Sequence, residues 1–304
     1  MQRTFVRVAV ALASVAVLVA AAGSAAFARA DAASSRSANA MDRIVFSFDW
    51  GPGTQLYLIN EDGSGRRQLT SRVAGVAGVN VDLEAAWSPR KQRVAFTSNR
   101  WAKSALDRDL FVIDATGHGL RRLAHTLAVE SSPSWSPDGR EIVFARDVGR
   151  GRDLFVVTVA TGKVRRLTQT TALESTPAWS PDGEWIAYVR AGRIWAMHPV
   201  STGAHPLHRT GGIVSPWAPD WSPTSRGVVV QAARTSESPT AEIWVILANG
   251  NGGNRVTSNW IEDTSPTYSP SGTRFAFCRG DTIWTMRYTG WYQRPLTTGS
   301  QPDW

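Results

Sequence analysis

The chain has 304 residues, of which 42% are hydrophobic and 19% charged, a balance that is ordinary for a soluble globular protein and argues against a disordered chain. Its formal charge of +8 falls to +5 without residues 1–30, which contain three Arg and no acid and leave 30 basic against 25 acidic residues. The surplus Arg are scattered, with no run of Lys or Arg, so nucleic-acid binding is not predicted.

Residues 1–30 have the pattern of a cleavable secretory signal, with two Arg before an apolar run over 8–22 and small residues after it. Cleavage is expected after Ala28 or Ala30. An uncleaved anchor is the alternative, but the apolar run is shorter than the roughly 20 residues of a spanning helix. The mature protein is therefore expected to be secreted or periplasmic at the cell envelope, with no membrane span. Residues 31–40, rich in Ala and Ser, are predicted to be a flexible linker.

One pentapeptide recurs along the rest of the chain. Trp-Ser-Pro-Asp-Gly stands at 135–139 and 179–183, and weaker copies stand at 87–89, 221–223 and 268–272. The motif aromatic occupies positions 87, 135, 179, 221, 268 and 304, so successive copies are 48, 44, 42, 47 and 36 residues apart. Such a period suits four short strands with their turns, which is one blade of a β-propeller.

The copy that begins at Trp135 shows the elements of one repeat most clearly. Residues 136–139 predict a tight turn, because Pro presets the first corner and Gly takes the left-handed position. Residues 141–145 predict a buried second strand, and 153–159 predict a third. A hairpin turn at 160–163 then leads to a polar outer strand over 164–168.

Second strands can be recognised in six copies: 44–46, 94–96, 142–144, 186–188, 228–230 and 275–277. The first copy lacks an inner strand before Ile44, whereas Trp304 begins a surplus one at the other end of the chain. We therefore predict an all-β fold over 41–304, a six-bladed β-propeller closed by pairing of the C-terminal strand with the N-terminal blade. Closure removes the exposed sheet edges of an open array.

These motifs resemble the TolB-type propeller repeat, a relative of the WD repeat. Its signature runs Pro-x-Trp-Ser-Pro-Asp-Gly, an apolar strand, a loop, Ile or Leu followed by Tyr or Trp, an Asp-Gly turn and then Arg-x-Leu-Thr. The resemblance covers 41–304 and implies a propeller fold and a cell-envelope partner. TolB itself places an α/β domain before its propeller. Here only about ten residues separate signal and first blade, so that domain is expected to be missing.

Candidate binding residues lie where the inner strands begin. An acid stands five residues before the motif aromatic in four copies: Asp82, Glu130, Glu174 and Asp263. Loops between second and third strands are expected on the same face, and they carry these basic residues: Arg100, Lys103, Arg108, Arg146, Arg150, Arg152, Arg190, Arg193, Arg234 and Arg279. We predict a ligand site at this mouth of the channel, formed by the four acids with Arg108, Arg152 and Arg193. The alternative is local: each acid pairs with a neighbouring Arg and holds the repeat together.

The predicted function is that of an extracytoplasmic, non-catalytic binding module for a protein, peptide or glycan, acting as a monomer. Trp50 and Trp101 are predicted either to be apolar anchors on the same face or to pack between blades. The alternative is a propeller-based hydrolase or lyase acting on carbohydrate or peptide. A third interpretation is a purely structural domain, whose channel mouth would be occluded by its own side chains. No Gly-x-Ser-x-Gly motif is present, so no catalytic residue is assigned.

Neither cysteine nor histidine suggests a cofactor. Cys278 is the only Cys, so no internal disulfide is predicted, and it is expected to be a buried thiol in a strand. His198, His205 and His208 cluster in the fourth blade, but on an outer hairpin they would not converge on one metal. We therefore expect neither a metal nor another cofactor.

Overall fold

The computed structural model describes residues 43–304 except 50, 52, 73–78, 103–106, 201–202, 208–213 and 234–239. The predicted signal and linker, residues 1–40, lie outside the described residues. All regular elements in the described part are β-strands, so the all-β prediction is confirmed. A helix long and apolar enough to cross a bilayer does not occur there.

The described residues form 24 strands: β1 (Arg43–Asp49), β2 (Gly53–Asn60), β3 (Arg67–Gln68), β4 (Asn80–Trp87), β5 (Arg93–Ser98), β6 (Asp109–Asp114), β7 (Arg121–Ala124), β8 (Glu130–Trp135), β9 (Glu141–Asp147), β10 (Arg152–Thr158), β11 (Val164–Arg166), β12 (Glu174–Trp179), β13 (Ile186–Arg190), β14 (Arg193–Met197), β15 (Ala204–Pro206), β16 (Val214–Trp221), β17 (Gly227–Ala233), β18 (Glu242–Leu247), β19 (Gly253–Arg255), β20 (Asp263–Tyr268), β21 (Arg274–Arg279), β22 (Thr282–Arg287), β23 (Arg294–Thr298) and β24 (Ser300–Asp303).

Four of the sheets are antiparallel meanders of four strands: β8 to β11, β12 to β15, β16 to β19 and β20 to β23. The predicted turn after Trp135 is present, with Gly139 at a φ of 71° and its N–H donating to the Ser136 carbonyl at 2.9 Å. Asp138 Oδ1 accepts the Arg140 N–H at 3.0 Å, which explains why Asp recurs at this corner. The repeated four-stranded sheets predicted from the motif are thus confirmed.

The remaining strands form one eight-stranded sheet in the order β24-β1-β2-β4-β5-β6-β7, with β3 paired to β2. Only a short parallel contact joins its two halves, with Gly53 opposite Asn80 and Thr54 opposite Val81. At the other edge, β24 pairs antiparallel with β1, and Val45 lies opposite Asp303. The last strand of the chain therefore lies beside the first.

Hydrophobic clusters fill the space between successive sheets. In one cluster Phe144 of β9 packs with Ala95 of β5, which belongs to the preceding repeat. Another unites Phe46 of β1, Cys278 of β21 and Trp304, so it joins the first repeat to the last. Second strands are apolar at successive positions because both of their faces are covered by neighbouring sheets.

Candidate functional site

A cavity of about 570 Å³ runs between the strands that end at the motif aromatic. We call β4, β8, β12, β16, β20 and β24 the inner strands. The cavity is lined by their second halves and by the Ser-Pro turns that follow them. Many lining positions are proline, for example Pro133, Pro177, Pro219, Pro266 and Pro302. Proline cannot donate to a ladder, so its place here fits strand edges that face open space.

Each inner strand carries a residue other than glycine in the left-handed region, three positions before the motif aromatic. These residues are Glu84 (φ 53°), Ser132 (52°), Thr176 (45°), Ala218 (48°), Ser265 (49°) and Gln301 (50°). The pairing register shifts at the same place, for example between Ser131 and Ser134. This is a β-bulge, which bends a strand and redirects its side chains, at a cost of about 1–3 kcal/mol for each strained residue. All of these residues line the cavity.

Side chains at the bulge connect neighbouring inner strands. Gln301 Oε1 accepts the backbone N–H of Glu84 at 3.0 Å, and Glu84 Oε2 accepts the N–H of Ser132 at 2.9 Å. Thr97 also donates its hydroxyl to Glu84 Oε2 at 3.0 Å. Glu84 is therefore held by several donors, and β24, β4 and β8 are joined around the cavity.

The position just before the motif aromatic makes a second set of connections. Asp303 Oδ2 accepts the N–H of Trp87 at 2.7 Å, and Asp220 Oδ2 accepts the N–H of Tyr268 at 2.7 Å. In both pairs a carboxylate on one inner strand binds the backbone of the next. These charge-assisted bonds orient the two carboxyl groups toward a shared part of the cavity wall.

Thr267 lies between these two carboxyl groups. Its Oγ1 is 3.2 Å from Asp220 Oδ2 and 3.5 Å from Asp303 Oδ1. Burial, together with the nearby charge of Asp303, raises the pKa of Asp220 to about 7. Burial likewise raises the pKa of Asp303 to about 6, although the Trp87 N–H and the charge of Lys91 oppose the rise. The pair can therefore take up or release a proton close to neutral pH.

The charged residues among the lining are Glu84, Asp220, Asp303 and Lys91. Three acids against one base make the cavity wall acidic, although the whole chain carries +8. A narrow site lined by one sign of charge concentrates ligands of the opposite sign. The arrangement can therefore hold a cationic group, or transfer a proton through the carboxyl pair.

The four acids predicted at the channel mouth occupy the opposite ends of the inner strands. All four are fully buried, and each pairs with an Arg of its own repeat. The pairs are Asp82–Arg100 (2.5 Å), Glu130–Arg146 (2.6 Å), Glu174–Arg190 (3.8 Å) and Asp263–Arg279 (2.7 Å). Glu130 Oε2 also accepts the Leu110 N–H from the preceding sheet at 2.8 Å. These contacts favour the local alternative, in which the acids hold the repeat together.

The predicted basic residues are dispersed. Arg152 pairs with Asp147 at 2.7 Å, Arg193 is exposed at the start of β14, and the Arg108 carbonyl accepts the Glu130 N–H at 2.9 Å. Within the described part of the chain, none of the seven predicted site residues lines the cavity. A ligand site formed by these seven residues at the channel mouth stays a prediction.

The other candidates have local partners or fall outside the structure. Trp101 packs edge-on against Phe111, with ring centroids 5.0 Å apart, and Trp50 lies outside the described residues. His198 packs against Trp185, with ring centroids 3.9 Å apart and the rings tilted by 31°, whereas His208 is not described. Across the described ranges no group of three or more His, Cys, Asp or Glu side chains is arranged to hold a metal ion.

Asp220 and Asp303 are not among the residues predicted from the sequence, although a signal for them exists. Acid stands directly before the motif aromatic in only those two copies, whereas the others have Ala, Ser or Thr there. An acid that occurs at one repeat position in only two copies is a more specific sign of a binding site than an acid that most copies share.

Comparison with known proteins agrees with this fold. Residues 86–202 match the family described as the TolB beta propeller domain. The structure of TolB from Acinetobacter baumannii superposes with a TM-score of 0.73 at 18% identity, covering 86% of this chain and 66% of that one. An oligogalacturonate lyase from Vibrio parahaemolyticus gives 0.59 at 11% identity, covering 84% and 74%. A puromycin hydrolase gives 0.55 at 18% identity, covering 81% and 42%. At these identities the structures establish shared fold alone.

Proposed function

We propose that this TolB-type β-propeller repeat protein is a non-catalytic binding module that takes a segment of a protein, peptide or glycan into its central cavity. The observation that carries the proposal is a cavity of about 570 Å³ to which each inner strand contributes a left-handed residue. Ligand sites generally occupy about 300–1,000 Å³ and combine apolar walls with few polar groups.

The finer architecture that we propose is a closed ring of six blades. Pairing of β24 with β1 and the cluster of Phe46, Cys278 and Trp304 support closure. The narrow parallel seam at Gly53 and Asn80 supports division of the eight-stranded sheet into two blades. Counted in this way, each blade has one inner strand, and all inner strands contribute to the cavity.

An extracytoplasmic location at the cell envelope is part of the proposal. The predicted signal in residues 1–30 and the resemblance to TolB-type repeats support it. The partner is then a component of the envelope, bound by a monomer of this chain.

A hydrolase or lyase is the second candidate, and one observation favours it. Asp220 and Asp303 share Thr267 and have raised pKa values, as paired carboxyl groups in acid–base catalysis do. A propeller enzyme acting on carbohydrate or peptide would use Asp220, with its pKa of about 7, as the proton donor or acceptor.

The test is to fill the cavity and measure binding. Ala218→Trp places a large ring on the cavity wall, and Trp260→Ala is the matched surface control because Trp260 is 94% exposed. The chain is immobilised and exposed to envelope extract and to peptide and glycan arrays. We expect the control to retain binding and Ala218→Trp to lose it while remaining folded, although Trp adds strain at a φ of 48° and lowers the melting temperature. Equal binding by both variants would rule out the cavity as the binding site. Release of reducing ends or cleaved peptide that stops in Asp220→Asn would favour the enzyme.

A further inference from the structure

We propose that Asp220 and Asp303 form a subsite for a cationic group, an alkylammonium or guanidinium carried by a peptide ligand. The inference rests on the proposed function and specifies the ligand class of the same cavity. It concerns recognition and involves no chemical step.

The shared hydroxyl brings the two carboxyl groups together. Thr267 of β20 lies between β16, which carries Asp220, and β24, which carries Asp303. Its Oγ1 is 3.2 Å from one carboxylate oxygen and 3.5 Å from the other, yet a hydroxyl has only one proton to donate. One of the two carboxylates therefore lacks that donor at any moment. A cation with several N–H donors can satisfy both at once.

Charge in the rest of the cavity favours the same class of ligand. Glu84 adds a third carboxylate and already accepts bonds from Ser132 and Thr97. Lys91 is the one basic residue among the lining residues that the structure describes, and it acts on Asp303. A bound cation would relieve repulsion between the carboxylates. A polyanionic sugar would increase that repulsion, which argues against an acidic glycan.

Two buried indoles supply an independent indication of a ligand. Trp87 and Trp304 are 8% and 5% exposed and line the cavity, and their Nε1 atoms have no hydrogen-bond acceptor among the described residues. The equivalent Nε1 atoms of Trp135 and Trp221 donate to backbone carbonyls at 3.1 and 3.0 Å. An unpaired buried donor is costly, so an acceptor that a ligand brings into the adjoining cavity would be favourable once the indole turns toward it. A peptide with a basic side chain supplies both kinds of group, a cation and nearby backbone carbonyl oxygens that accept hydrogen bonds.

Trp217 completes the subsite on the strand that carries Asp220. Its ring is 43% exposed and contributes to the cavity wall. An exposed indole face binds the aliphatic stem of Lys or Arg and attracts the cation itself. A basic side chain thus has an aromatic surface for its stem and two carboxylates for its head group.

The experiment compares peptides that differ only in charge. Acetylated pentapeptide amides of glycine, with Lys, Arg, norleucine or Glu at the centre, are titrated calorimetrically into the full chain at pH 7.5. Asp220→Asn and Asp303→Asn remove charge but keep the oxygen that accepts the Tyr268 or Trp87 N–H. Asp138→Asn is the control, because Asp138 is an exposed carboxylate in a turn.

Lys and Arg peptides are expected to bind at least about ten-fold more tightly than the norleucine peptide, with the Glu peptide weakest. Asp220→Asn and Asp303→Asn should each remove that difference, and Asp138→Asn should preserve it. Equal binding of Lys and norleucine peptides by the wild type would overturn the subsite while leaving cavity binding intact. If no peptide bound and the envelope and array screen were also negative, both the subsite and the proposed function would fail.

Discussion

The carboxylate of Asp303, the penultimate residue of the chain, accepts the backbone N–H of Trp87 at 2.7 Å across 216 positions of sequence. The bond links the C-terminal strand to the inner strand of another repeat. On its other side, β24 pairs with β1. The C-terminal strand therefore lies between β1 and β4, two strands from the beginning of the fold.

Truncation of the C-terminal aromatic is expected to destabilise the whole propeller. Trp304 is 5% exposed and packs in the cluster that joins the first repeat to the last. Trp304→Ala should cost about 3–5 kcal/mol, as is usual for a buried Trp. Deletion of residues 302–304 should cost more, because it also removes the Asp303 bond. Trp260→Ala, at an exposed site, is the control for thermal unfolding, and a melt of Trp304→Ala equal to the control would contradict closure through this strand.

The seam between the first two repeats should be sensitive to a single methyl group. A Cβ at Gly53 would lie 2.5 Å from the Asn80 carbonyl oxygen, which is a backbone atom and cannot move away freely. Gly53→Ala is therefore expected to separate the parallel contact and to lower the midpoint of urea unfolding. Gly203→Ala is the matched control, since nothing lies within 4 Å of its Cβ position. Equal midpoints for the two variants would show that the parallel contact contributes little to the free energy of unfolding.

The repeat could be predicted from sequence because its signals are local. Ser136, Asp138 and Gly139 form their turn with partners no more than five residues away, and apolar strands follow directly. The pairing of the chain ends followed from counting copies of the motif. Neither inference needed knowledge of how side chains are oriented around the cavity.

The site could not be located in this way because a bulge interrupts the alternation of each inner strand. In a regular strand, Glu130 and Ser134 would project from one face. The left-handed residue Ser132 adds one residue between them, and the register shifts there. Glu130 is consequently buried with Arg146, whereas Ser134 lines the cavity. The prediction at the channel mouth was based on where the inner strands begin. It carried no information on which later side chains of those strands, such as Asp220 and Asp303, line the cavity after the bulge.

Loss of one buried acid of the repeat should affect stability more than binding. Glu130→Ala leaves the Arg146 guanidinium without its 2.6 Å partner and the Leu110 N–H without an acceptor. Removal of one member of a buried ion pair typically costs about 3–5 kcal/mol. Asp138→Ala, whose pair with Arg140 is exposed at 3.9 Å, should cost far less in the same denaturation experiment. The double variant Glu130→Ala and Glu174→Ala should then fail to fold. A double variant that folds stably but no longer binds its ligand would instead support the predicted ligand site at the channel mouth.

Cys278 is expected to be unreactive in the folded protein. It is 4% exposed, and burial raises the pKa of its thiol to about 12, so almost no thiolate forms at pH 8. Ellman's reagent should detect no thiol until guanidinium is added, and one thiol per chain afterwards. Gly203→Cys, at an exposed position, should react at once and serves as the control. Rapid reaction of the wild-type chain would indicate opening between the first and last repeats.

The carboxyl pair should make stability fall as pH rises. The pKa of Asp220 is about 7 when folded, compared with about 3.9 in an unfolded chain. Between these values the folded state retains a proton that the unfolded state loses, so the free energy of unfolding decreases from pH 4 to pH 7. Asp303, with its pKa of about 6, acts in the same direction, while Lys91 opposes it and Glu84 adds negative charge.

Asp220→Asn should therefore melt at a higher temperature than the wild type at pH 8 and at the same temperature at pH 4. Asp138→Asn is a control of opposite sign, because the Ser136 hydroxyl and the Arg140 N–H lower the pKa of Asp138. That carboxylate stabilises the fold above its unfolded pKa, so its loss should lower the melting temperature at pH 8. If Asp220→Asn is more stable than the wild type but binds cations more weakly, the Asp220 carboxylate serves ligand binding at a cost in stability. Lower stability of Asp220→Asn at pH 8 would mean that the carboxylate is needed by the fold.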